Sequence, residues 1–173
     1  MRLVVRMRRR KANGDEMSID YSWLEKHVFQ RELSEQDRKS IGIVMRRQCF
    51  ASGDTIIMEN EAGGELYLLK SGRVDVLLHV EGERVKLSDL GEGAQLGDMS
   101  FIDDTKASAT ITARENCVVY RITRDDLSSM FIYHQSVARD LTFSIMRNMS
   151  RNLRRMNHQS APHLKDARSL EQR

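Results

Sequence analysis

Two cysteines and five histidines are the residues of this chain best suited to metal or nucleophilic chemistry, and their spacing supports neither. Cys49 and Cys117 are too few and too far apart for a zinc knuckle or an iron–sulfur ligand set. Both sit in apolar runs, Gln-Cys-Phe and Asn-Cys-Val-Val-Tyr, which predicts buried, reduced thiols. His79 alone lies in the β-rich part of the chain, with His27, His134, His158 and His163 outside it, so the histidine cluster of a metal-dependent jelly-roll enzyme is not formed. No nucleophile stands at a useful spacing from a base. The expectation is a protein that binds rather than catalyses, without a metal or a cofactor.

A chain of 173 residues, 40% hydrophobic and 31% charged, suits one globular domain and is short for two. Its net charge of +3 is unevenly placed. Residues 1–11 carry six cations and no acid; removing these and the acids Asp15 and Glu16 leaves −1 from Met17 onward. The basic arm, residues 1–16, is read as a disordered leader, with Met17 opening a second helix start at Ser18-Ile19-Asp20; contact with nucleic acid or anionic lipid is the other reading. No run approaches the ~20 apolar residues of a membrane span, and no apolar segment follows the basic start as a secretory signal requires. The expected location is cytoplasmic.

The elements of the fold follow from periodicity. Trp23, Leu24, Val28, Leu33, Ile41, Val44 and Met45 recur near helical spacing, and Ser34 with Asp37 three residues on predicts a capped helix over about 35–46. Between 48 and 123 the pattern breaks into short β-rich runs at 49–50, 55–58, 66–70, 74–80, 85–90, 109–113 and 117–122, separated by glycine turns. That spacing predicts an antiparallel β-roll or jelly roll and excludes parallel βαβ units, since no helix-length segment lies between the runs. Glycine at Ser71-Gly72 and Gly63-Gly64 supplies the positive φ that tight corners need. Thr123 or Asp125 caps a short helix containing Leu127 and Met130. A longer helix over about 136–156 carries Val137, Leu141, Ile145, Met149, Leu153 and Met156 on one stripe. The fold class is therefore mainly β with flanking helices (α+β), the domain spans 17–157, and the polar residues 158–173 are expected to be a disordered tail.

From Phe50 to Val76 the chain resembles the front half of a cyclic-nucleotide-binding domain, as found in catabolite activators and protein kinase A regulatory subunits. Gly53-Asp54, Ile56, Glu59, the turn at Gly63, the run Leu66-Tyr67-Leu68-Leu69, then Gly72 and Val74-Asp75-Val76 keep that family's order and register. The likeness extends over about Trp23 to Met156. It implies a phosphate-binding cassette in Gly97-Asp98-Met99-Ser100-Phe101-Ile102-Asp103-Asp104-Thr105-Lys106-Ala107-Ser108-Ala109-Thr110, with no gap between its two ends. The ligand-binding residues so implied are Gly97, Asp98, Met99, Ser100, Lys106, Ala107, Ser108, Ala109 and Thr110. Two departures matter. The family's glutamate, which binds the ribose hydroxyl, is Asp98 here, and its phosphate-binding arginine is Ala107. Lys106 stands beside it, but neighbouring strand residues face opposite ways, so it does not simply inherit the role. Losing a charge-assisted bond of about 1.5–3 kcal/mol weakens cyclic AMP binding by about ten- to several-hundred-fold. Backbone N–H groups from Asp98 onward and the hydroxyls of Ser108 and Thr110 are the anion donors left. Asp98 also reads as a plain helix N-terminal acid, Lys106 as a solvated cation, and Ser108 and Thr110 as ordinary strand residues.

Three functions remain open. The first is a regulatory sensor for cyclic AMP, another cyclic nucleotide or a related anion, which signals to an unidentified protein partner by a shift of the C-terminal helix. The second is a transcription regulator of the catabolite-activator kind; because only a polar tail follows Met156, the helix-turn-helix is expected to be missing and specific DNA reading is not expected. The third is a dimerising or docking module that has lost its ligand. A symmetric homodimer through the last helix is expected in each case.

Overall fold

The computed structural model describes residues 18–170, with side chains through 155. The leader, 1–16, lies outside these residues. Asp20 caps α1 (Tyr21–Leu24) by accepting from the Trp23 N–H, and α1 runs into a π-helical turn, Glu25–Phe29. A left-handed Gln30 (φ 55°) ends that turn. The helix α2 (Glu35–Val44) opens on the full capping box of Ser34 and Asp37, so the shorter acid serves as well as a glutamate.

Eight strands follow: β1 (Arg46–Phe50), β2 (Thr55–Ile57), β3 (Glu65–Ser71), β4 (Val74–Val80), β5 (Glu83–Leu90), β6 (Gln95–Leu96), β7 (Thr110–Ala113) and β8 (Cys117–Thr123). They form two four-stranded sheets, ordered β1-β8-β3-β6 and β2-β7-β4-β5. Every ladder is antiparallel. The β-roll expected from the glycine-punctuated runs is the observed fold. Between β6 and β7 lies α3 (Asp98–Asp103); after β8 come α4 (Arg124–Tyr133) and α5 (Gln135–Leu170). Thr123 caps α4 in a second capping box, with Asp126.

Alternation along β3 divides the core in two. Leu66 and Leu68 face the helices, packing with Trp23, Leu24, Ile41, Tyr120, Leu141 and Ile145; Tyr67 and Leu69 face the other sheet, packing with Ile56, Val74, Leu96 and Val119. Arg31 fastens the helical layer, reaching Asp37 of α2 at 2.8 Å and Asp140 of α5 at 2.7 Å.

Three expectations are corrected. The last helix does not end near 157: its backbone is helical to Leu170, because elongating a formed helix needs no apolar stripe, which was the signal used to bound it. The tail assigned to 158–173 is thus helical as far as 170. Cys117 is buried as expected, but Cys49 is only half-buried, since β1 is an edge strand. Gly64 (φ +103°) takes a left-handed corner, whereas Gly63 does not; a Cβ on Gly63 would lie 2.4 Å from the Ser100 Cβ, so close approach requires it.

Gly72 closes the β3–β4 hairpin at φ +95°, where a Cβ would meet the Asn116 carbonyl oxygen at 2.6 Å. Gly72→Ala combines left-handed strain with that collision and is expected to lower stability by about 2–3 kcal/mol, measured as a fall in the urea midpoint with an unchanged slope.

Candidate functional site: the cassette and the helix beside it

Gly97 and α3 are placed by β6, which pairs Leu96 with Tyr67 of β3. Gly97 adopts φ +78°, and a Cβ there would sit 2.7 Å from the Glu65 carbonyl oxygen, so no other residue fits this step. The Asp98 carboxylate that follows is 9% exposed. Its Oδ1 accepts from the Met99 N–H at 3.0 Å, and its Oδ2 accepts from Asn148 Nδ2 of α5 at 3.0 Å. Burial pushes its pKa above the ordinary 3.8, against the lowering effect of these bonds. The cassette acid is thus bonded to the long helix.

The other expected site residues divide. Met99 is exposed, whereas Ser100 is buried against Gly63 and donates its hydroxyl proton to the Gly97 carbonyl at 3.3 Å. Lys106 is exposed, with its backbone bridged to Ala62. Ala107 is 6% exposed; its N–H donates to Glu61 O at 3.0 Å and its carbonyl accepts from Asn60 N at 2.8 Å. Ser108 is exposed and Ala109 half-buried. Thr110 is buried, and its hydroxyl accepts from the Glu59 N–H at 3.2 Å. The chain therefore brings Gly97 and Asp98 to a helix start, but it turns the Ser100 and Thr110 hydroxyls to its own backbone.

Sequence reasoning missed Asn148, Ser144 and Arg124. Gln95 Nε2 donates to Ser144 Oγ at 2.8 Å, a second buried polar tie between the β6 region and α5. Arg124 donates to the carbonyls of Ser100 and Phe101 at 2.7 and 2.9 Å and pairs with Asp104, so it caps the far end of α3. A signal for the first two exists: Ser144 and Asn148 fall on the core-facing side of α5, interleaved with Leu141 and Ile145, where a polar residue needs a buried partner.

Behind α3 lies a cavity of about 70 Å³ bordered by Met58, Glu61, Gly63, Glu65, Tyr67 and Ser100. Glu65 pairs with Arg121 and accepts from the Tyr67 hydroxyl, whose pKa burial and that carboxylate drive upward. At that size this space does not by itself enclose a whole nucleotide.

Two antiparallel sheets, a glycine-started helix between β6 and β7, and a long helix bonded to it define a β-roll with a cassette between its strands. The chain belongs to the cyclic nucleotide-binding domain family, whose family model matches residues 47–134. A cGMP-dependent protein kinase from Eimeria tenella is 35% identical over 97 residues, 56% of this chain and 9% of that kinase. The chain thus spans about a tenth of that relative's length. A cyclic nucleotide-binding domain from Methylobacillus flagellatus superposes with a TM-score of 0.73 at 18% identity, over 83% of this chain and 81% of that one. The regulatory subunit of a cAMP-independent protein kinase A from Trypanosoma brucei, a mutant bound to cAMP, superposes at 0.59 with 20% identity, over 73% of this chain and 44% of that one.

Because its folded pKa is raised, Asp98 holds a proton in the native state at pH values just above 3.8 at which the unfolded chain has released it. Its contribution to stability is fully present below that window and is lost as pH rises through the folded pKa. The stability of the wild type minus that of Asp98→Asn is expected to fall as pH rises above the ordinary carboxylate value of 3.8. Urea titrations of both proteins read this directly; a flat or rising difference contradicts it.

Proposed function

We propose that this is a cytoplasmic, non-enzymatic regulatory domain in which occupancy of the cassette by a cyclic nucleotide or related nucleotide anion is passed to a partner through α5. The observation that carries this is the bond from Asn148 of α5 to the buried Asp98 at the start of α3. A ligand whose ribose hydroxyl takes the Asp98 carboxylate competes with Asn148, so α5 held and α5 released bind that ligand with different affinity. Such a difference is what a population shift requires. Ligand binding is weak in this proposal, because Ala107 supplies no charge and Lys106 projects into solvent from a bridged backbone.

A second reading, a docking module that works without ligand, is favoured by the backbone pairing of Ala107 with Asn60 and Glu61, which ties down that end of the cassette. Calorimetry with cyclic AMP and cyclic GMP separates the two. Millimolar binding by the wild type, strengthened about ten- to a few-hundred-fold in Ala107→Arg, is expected of the sensor. Absence of heat from both proteins, each shown folded by circular dichroism, leaves the docking module.

Self-association through α5 belongs to either reading. Phe143, Met146 and Leu153 are half or more exposed and share the helix face opposite Val137, Leu141 and Ile145. We expect a symmetric dimer by light scattering and a monomer for Phe143→Asp/Met146→Asp; an unaltered mass places the contact elsewhere.

A further inference from the structure

We propose that the groove between α5 and the β5–β6 turn is a second anion site, for a small molecule bearing two or more phosphates. The groove encloses about 760 Å³, in the size range of ligand pockets (about 300–1,000 Å³). Its lining includes Lys26 of the π-helical turn, Arg151, Arg154 and Arg155 of α5, and the carboxylates Asp89 and Glu92; no residue from Gly97 to Thr110 lines it, although Asn148, the partner of Asp98, does.

Three observations give the chemistry. Arg151, Arg154 and Arg155 stand at i, i+3 and i+4, so like charges share one helix face and repel. Neither they nor Lys26 has an ion-pair partner among the described residues. Both acids of the lining already have partners: Asp89 lies 3.2 Å from Arg73, and Glu92 accepts from Trp23 Nε1 at 2.8 Å. Asp89 is compensated by Arg73, whereas Glu92 bonds a neutral indole N–H and keeps its charge, so among the described residues four cations of the lining outnumber one uncompensated acid. The guanidinium forks suit the paired oxygens of phosphate groups, and an anion bridging them removes the repulsion along α5. The same two carboxylates argue for a small molecule over a duplex, whose continuous phosphate backbone would be pressed against them.

The test is calorimetry of the full chain with inorganic triphosphate. The expected result is saturable binding, one triphosphate per chain, weakening as salt is raised. Arg154→Glu/Arg155→Glu lowers the affinity by about tenfold or more. Glu92→Gln, which keeps an acceptor for Trp23 but removes a charge, tightens it about two- to fivefold. Arg139→Ala, on α5 but outside the groove, leaves it unchanged. Cyclic AMP at 1 mM, about the upper end of ordinary ligand concentrations, does not displace the triphosphate. The proposal is overturned by an absence of saturable heat or by an Arg139→Ala loss equal to that of the double variant. Displacement by cyclic AMP, or preference for generic duplex DNA at equal phosphate concentration, overturns it as well.

Discussion

Strand β3 is buried on both faces, and the rest of the molecule is arranged around that constraint. Leu66 and Leu68 must be covered by helices, and Tyr67 and Leu69 by a second sheet, so one seven-residue strand demands both layers. Its neighbours β8 and β6 satisfy its backbone on either side. The short partner, β6, delivers the chain to Gly97, which passes so close to the carbonyl of Glu65 that a side chain is excluded. The start of the cassette is thus positioned by core packing and by one missing Cβ, with no ligand needed to hold it.

What the cassette then does with its polar groups is mostly inward. Arg124 holds the C-terminal end of α3, Asn148 holds the acid at its start, and Glu59 engages Thr110. A buried carboxylate with a single side-chain donor is an unsettled arrangement: desolvation opposes its charge while the amide of Asn148 supports it. The balance depends on α5 staying where it is. That dependence is the physical basis for treating the helix and the cassette as one unit, and it exists whether or not the arginine common in the family is present.

Much of this was legible in the sequence. Val74–Val80 has the predicted bounds, because apolar residues alternate between glycine corners, and the Ser34–Asp37 capping box announces α2, whereas the sequence leaves the cap of α4 between Thr123 and Asp125. β6 was not legible, since two residues carry no period. The stripe on α5 was, yet the sequence alone did not show that Leu153 lies beyond the core, or that Phe143 and Met146 form a second apolar face. Asn148 and Ser144 were missed because their meaning depends on Asp98 and Gln95, about fifty positions away. Arg124 likewise gains its role only from the fold, by standing at the carbonyl end of a helix that precedes it by twenty residues.

The length of α5 beyond its last core contact has a mechanical meaning. Met149 still packs against the helical core, and the backbone remains helical to Leu170, which at 1.5 Å per residue makes an arm of about 30 Å. A tilt of about 10° pivoting near Asn148 would carry its tip by about 5 Å, the pitch of one helical turn. In the proposed function, that reach is what would carry a rearranged amide–carboxylate contact away from the cassette.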